Sequence, residues 1–315
     1  MTEGKEISRS ARVAVLMGGM SSERPISLKS GKAVLAALLE RGWDAVAVDV
    51  GPDLPERLRA ERVDVAWIAL HGQFGEDGCV QGLLEILRVP YTGSGVRGSA
   101  VAMDKISTKR LLVDTDVPLP EDCTWRPGEE LPRDLRYPLV AKFPEGGSTL
   151  GLAICQDEGE LERSLVELRE LGDEVLLEQF VAGEEITVAV LDGRALPVVG
   201  IVPDSGFFDF EAKYTKGRTT YEVPATRVDA ATQALAQRHA VTAFDKLGLS
   251  GIARADFIVD EAGVPWFLEI NTIPGMTATS LSPMAAKAVG VSFPELVERV
   301  LLGARLRLRR RDQPA

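Results

Sequence analysis

Apolar residues in this chain fall into short runs, set off by stretches in which they recur at helical spacing. Residues 12–17 (R-V-A-V-L-M), 44–50 and 63–70 are runs of the kind that form buried strands. Between the first two, Ser21-Ser22-Glu23 opens a helix reaching Arg41, and residues 80–87 predict another. Residues 90–93 read as a short strand or turn. Repeated strand–helix units of this length imply a parallel sheet with helices on its faces. Ligands of such sheets lie beyond the carboxyl ends of the strands. Gly18-Gly19-Met20-Ser21-Ser22-Glu23 and the glycine-rich residues 71–78 fall there.

The pattern changes after residue 103. A helix starts at Met103-Asp104-Lys105, strands are expected over 139–143, 152–155 and 174–180, and a charged helix over 158–171. Together these make a small α+β unit. Residues 185–190 alternate as a strand, Asp192-Gly193 suits a hairpin turn, and a strand over 195–201 follows. A polar segment at 203–224 precedes a helix over 230–247, and a loop that long is functional or disordered.

The last strand pair concentrates charge. Two apolar runs, 257–259 and 266–268, flank a polar break at 260–263. Side chains two apart share a strand face, so Arg254 goes with Asp256, and Glu269 with Asn271. A register that pairs Arg254 near Glu269 brings all four onto one surface. Burying them is costly without compensation. A divalent cation on oxygen ligands such as Asp, Glu and Asn supplies it, as Mg²⁺ does. An ion-paired, half-exposed hairpin accounts for the same pattern.

Composition narrows the classes. The 315 residues leave room for two or three domains, and 45% hydrophobic with 26% charged residues describe an ordinary globular protein. A net charge of −11 argues against a general nucleic-acid or anionic-membrane surface. Cys79, Cys123 and Cys155 stand far apart, which predicts neither a zinc cage nor a disulfide framework and fits a reducing cytosol. The first twelve residues are polar, so no leader is expected, and no apolar run approaches the ~20 residues of a membrane span. The arginines of 305–311 follow an amphipathic stretch and read as a helix end opposing its macrodipole.

Four further positions attract chemistry. Residues 144–151 (P-E-G-G-S-T-L-G) put three glycines and two hydroxyls between strands, as a lid over phosphates or a plain turn would. Lys142 interrupts the apolar run before that loop and needs an anionic partner or a route to solvent. Glu23 is either an acid in a first helical turn or a carboxylate awaiting a substrate ammonium. His71, at a strand end among glycines, is placed like a neutral polar group of a site, whereas His239 lies within a helical pattern.

Read together, G-G-x-S-x-E-R-x-x-S from Gly18, H-G-x-x-G-E-D-G from His71, Y-T-G-S-G-V from Tyr91 and M-D-K from Met103 are family strings. So are E-A-K-Y from Glu211, R-x-D from Arg254 and E-x-N-T-x-P-G-M-T from Glu269. In this order the chain resembles the D-alanine–D-alanine ligases of the ATP-grasp superfamily over residues 13–300. The resemblance implies a mixed α/β (α+β), three-domain ATP-grasp fold with units at 1–104, 105–183 and 184–315, the last two clamping ATP. It implies that Lys105, Lys142 and Lys213 hold phosphates under a lid at Ser148, and that Glu178, Phe180, Val181 and Glu185 contact the nucleoside. Asp256, Glu269 and Asn271 would bind two Mg²⁺ (or Mn²⁺). Glu23, with His71 nearby, would hold the first D-alanine, Arg254 and Gly275 the oxyanion, and Ser280 and Leu281 the second D-alanine. Glu23, Ser148 and Tyr214 would latch loop and lid. A cytoplasmic homodimer acting on ATP and D-alanine, without nucleic acid or membrane, is the corresponding expectation. Two departures stand out: Gln179 where many relatives carry lysine, and a lid reading G-G-S-T-L-G. Tyr214 favours an amine over a hydroxy acid as second substrate.

Overall fold

The computed structural model describes residues 7–146, 151–203 and 219–308. Three sheets follow one another along the chain. The first joins β1 (Arg12–Met17), β2 (Asp44–Asp49) and β3 (Val65–Ile68), all parallel, in the order β2-β1-β3. α1 (Arg24–Glu40) and α2 (Leu54–Ala60) connect the strands, and α3 (Cys79–Leu87) follows. Val13, Val15 and Met17 enter one apolar core, and Ala14 and Leu16 another. Both faces of β1 are therefore covered, which is why its sequence is continuously apolar rather than alternating.

α4 (Val96–Met103) and α5 (Lys105–Leu112) lead into an antiparallel sheet of β4 (Asp122–Trp125), β5 (Leu139–Lys142), β6 (Leu152–Cys155) and β7 (Val175–Gln179). Its order is β4-β7-β5-β6, and α6 (Glu158–Leu168) packs on β5 and β6. The third sheet holds β8 (Glu184–Leu191), β9 (Arg194–Ala195), β10 (Val199–Pro203), β11 (Thr219–Glu222), β12 (Ile252–Val259) and β13 (Pro265–Asn271). β12 runs between β8 and β13, and α7 (Ala230–Lys246) lies against all three. Asp229 caps α7, accepting from Ala231 N at 2.9 Å and Thr232 N at 3.1 Å. α8 (Leu281–Ala288) and α9 (Phe293–Leu302) return the chain to the first unit, where α9 packs on α1.

Three expectations differ from what forms. The strand expected over 195–201 is broken into β9 and β10 around Pro197, which has no N–H for the ladder. Of the polar segment 203–224, residues 204–218 lie outside the described residues, and the part that follows forms β11, whose Thr-Thr-Tyr stretch is a strand former and pairs with β10. The arginines after α9 do not extend that helix, which stops at Gly303. Arg305 instead bridges to Tyr91, and the Arg307 N–H donates to Glu85 Oε1 at 2.5 Å.

Candidate active site

The third sheet supplies the charged floor of a cleft. Arg254 on β12 lies opposite Asn271 on β13, and Asp256 opposite Glu269. A β-bulge follows at once, so that Phe257 pairs with Phe267 and Leu268 is the extra residue. Those two phenylalanines meet edge to face, with ring centroids 5.7 Å apart, and hold the apolar side of the hairpin together. Arg254 grips Asp256 with two donors, Nε to Oδ1 at 2.8 Å and Nη2 to Oδ2 at 2.7 Å. Thr187 on β8 donates to the same Oδ1 at 2.6 Å. Burial would lower the Arg254 guanidinium, but Asp256 holds it above its ordinary range.

The second sheet and α5 bring the cations. Lys105, at the start of α5, reaches Glu269 at 3.0 Å and Gly146 O at 2.6 Å. Burial would raise the Glu269 carboxyl, yet Lys105, Lys142 and Arg254 hold it well below the usual carboxylate range. Lys142, at the end of β5, is ion-paired with the buried Glu178 of β7. The anionic partner that its apolar surroundings demand is thus a cross-strand neighbour.

The first sheet closes the far side. Glu23 precedes α1 but makes no side-chain cap, and its carboxylate faces the cleft. Burial, and then Glu269, raise its pKa, while Lys105 lowers it. Gly72, at φ +70°, runs so close that a Cβ there would come within 2.6 Å of Glu23 Oε2. His71 Nε2 lies 3.1 Å from Ser30 Oγ, and burial pushes its pKa down to about 4, so the ring is neutral. All three sheets open onto one cavity of about 400 Å³, lined among others by Glu23, Lys105, Lys142, Arg254, Glu269 and Asn271.

Known proteins share this sequence pattern and fold. Residues 52–94 match the family described as D-ala D-ala ligase N-terminus, and residues 121–302 match D-ala D-ala ligase C-terminus. A D-alanine–D-alanine ligase of Syntrophotalea carbinolica is 50% identical over 94% of this chain and 97% of its own. The chain belongs to the D-alanine–D-alanine ligase family. A ligase of Citrifermentans bemidjiense is 46% identical at the same coverage. The crystal structure of the Bacillus anthracis ligase superposes with a TM-score of 0.84 at 35% identity, covering 93% of this chain and 97% of that one. The same ligase complexed with ATP gives 0.82 at 33% identity and the same coverage.

Most positions singled out for a ligase of this family reach the cavity. Besides those named, Glu178, Phe180, Val181, Glu185, Asp256, Gly275, His71 and Leu281 line it. Ser280 stands just behind: its Oγ accepts from Thr277 N at 3.1 Å, beside Gly275. Ser148, Lys213 and Tyr214 lie outside the described residues. Two buried groups carried no assignment from sequence. Glu76 accepts from Gly72 N at 2.7 Å and Ile273 N at 3.3 Å, and Lys109 is wedged between Glu178 and Asp122. A lysine one turn after Lys105 was the visible signal for the second.

Proposed function

We propose that this cleft carries out the family's reaction on the residues it gathers. The enzyme uses ATP to join two D-alanines into D-alanyl-D-alanine, a peptidoglycan precursor, releasing ADP and phosphate. What carries the assignment of roles is the convergence of Glu23, of Lys105 and Lys142, and of the Arg254–Asp256–Glu269–Asn271 face from three sheets onto one cavity.

A carboxylate is a poor electrophile. The first D-alanine therefore attacks the γ-phosphorus through a carboxylate oxygen, forming D-alanyl phosphate and expelling ADP. Lys105 and Lys142 hold the phosphate oxygens and offset their charge. Glu23 receives the ammonium of that D-alanine, and the incoming cation offsets the burial that raises its pKa. The amine of the second D-alanine then attacks the acyl carbon, loses a proton, and phosphate leaves. Arg254 spends two of its five N–H donors on Asp256, and the rest serve the oxyanion with the Gly275 backbone. Gly275, Ser280 and Leu281 place the second carboxylate.

Asp256, Glu269 and Asn271 fit a pair of Mg²⁺ or Mn²⁺ ions. They are hard oxygen donors on adjacent strands, two of them directly opposite each other. Bound there, a divalent cation offsets charge on the transferring phosphoryl group. Among the described residues no three His, Cys, Asp or Glu side chains converge, so the third donor of this set would be the Asn271 amide oxygen. The reading extends to three units at 1–104, 105–183 and 184–315 and to a homodimer in the cytoplasm, which sedimentation and cell fractionation check. Among the described residues no helix is long and apolar enough to cross a membrane.

Purified protein given ATP with D-alanine, D-serine or D-lactate tests the chemistry. Phosphate release tied to D-alanyl-D-alanine, and lost in Asp256→Ala, is the expected result. Depsipeptide formation with D-lactate outrunning dipeptide formation would overturn the choice of second substrate.

A further inference from the structure

Lys109 follows Lys105 by four residues on α5, so both side chains leave the same helix face. Lys105 enters the cleft, whereas Lys109 turns behind the cleft wall. Its side chain is 4% exposed. An ammonium has three N–H donors, and three acceptors meet it: Pro120 O at 2.8 Å, Asp122 Oδ1 at 2.8 Å and Glu178 Oε1 at 2.7 Å. Asp122 and Glu178 are direct cross-strand partners on β4 and β7. Carboxylates so placed repel each other, and the ammonium between them cancels that repulsion. The other oxygen of Glu178 is ion-paired with Lys142. Charge thus alternates along Asp122, Lys109, Glu178 and Lys142, and only the last two line the cavity. Burial alone would raise the Glu178 carboxyl, but Lys142 and then Lys109 hold it below the usual range.

We propose that Lys109 is a positioning residue for the nucleotide. By taking one oxygen of Glu178 it leaves the other to fix Lys142 at the cleft, with the Lys142 charge still available to phosphate. Without Lys109, Oε1 of Glu178 loses its partner whether or not Asp122 is charged, and both Glu178 oxygens turn onto Lys142. The lysine is then neutralised and drawn back from the phosphates. This inference rests on the reading of the cleft as the ATP site.

The test compares Lys109→Met, Lys109→Arg and the double variant Lys109→Met/Asp122→Asn. Each is measured for kcat, for KM of ATP and of D-alanine, and for affinity towards a non-hydrolysable ATP analogue by calorimetry. Loss of a charge-assisted hydrogen bond in Lys109→Met should raise KM for ATP and weaken the analogue about tenfold. KM for D-alanine should stay within about twofold, since additivity holds for sites that share no partner. Lys109→Arg should recover most of the loss. The double variant lacks the repelling pair, so it should regain thermal stability without regaining nucleotide affinity. Equal rises in both KM values, or recovery of ATP affinity along with stability in the double variant, would reduce Lys109 to charge compensation and overturn the proposal. The wild-type arm separates the two ideas. Wild type without dipeptide synthesis sinks the reaction assigned to the cleft, whereas analogue binding that is indifferent to Lys109→Met sinks the positioning role alone.

Discussion

Glu76 is the carboxyl whose behaviour the fold alters most plainly. Burial pushes its pKa up to about 8 from a usual 4.5, against two backbone N–H groups that favour the ionised form. Folding then takes up a proton between those two values. The contribution of Glu76 to stability is complete below pH 4.5 and is lost as pH rises through about 8. His71 acts the other way: its contribution is complete above 6.5 and is lost as pH falls through about 4. Glu76→Gln, which keeps the shape of the protonated carboxyl, should therefore have a smaller drop in melting temperature than wild type between about pH 5 and about pH 9. An equal drop in both proteins, read by calorimetry, would show that Glu76 is not the group responsible. Nothing in H-G-x-x-G-E-D-G distinguishes this acid from its neighbour Asp77, which caps Phe74 N and Cys79 N from the surface. Glu76 is buried because Ile273, 197 residues away, lands on it. Long-range packing of that kind leaves no local trace.

At the scale of elements, periodicity carried much further. Strand parity alone put Arg254 with Asp256 and Glu269 with Asn271, and the observed register seats them in facing pairs. The bulge at Leu268 was not legible, because one extra residue in a run of apolar side chains changes no alternation that a reader can see. The apolar run before Lys142 left open a paired cation or one reaching solvent, and the partner that settles it, Glu178, belongs to a strand more than thirty residues on and is chosen by sheet order. α7 offers a clean check on local stability away from the cleft. Its cap, Asp229, is held below its usual pKa first by Thr232. Asp229→Ala should lower the thermal midpoint by a few degrees, with kcat unchanged. Differential scanning fluorimetry beside a turnover assay decides it, and a fall in kcat of similar size would show that α7 reaches the chemistry.

Across the whole molecule, three consecutive sheets each contribute side chains that only the assembled cleft brings together. Most strands of these sheets could be read from sequence, though not β4 or β11, whereas the docking of the sheets could not. One docking contact is easily tested. Glu85 Oε1 accepts from Tyr91 Oη at 2.9 Å, Arg307 N at 2.5 Å and Leu308 N at 3.2 Å. Ending the chain after Ala304 strips two of these donors from a buried carboxylate, and should lower the melting temperature by roughly 5 °C. An unchanged midpoint would mean that residues 305–308 merely rest on the surface. The same contact has a consequence for the order of synthesis. Tyr91 is flanked by Ala66 on one side and Arg305 on the other, and Arg307 Nη2 reaches Gly93 O from 214 residues away. In a nascent chain β1, β2 and β3 leave the ribosome long before α9, whose Leu296, Val297, Val300 and Leu301 share the core of Val13, Val15 and Met17. The margin of that sheet likewise stays bare, with the Glu85 carboxylate short of donors, until residues 305–308 have emerged.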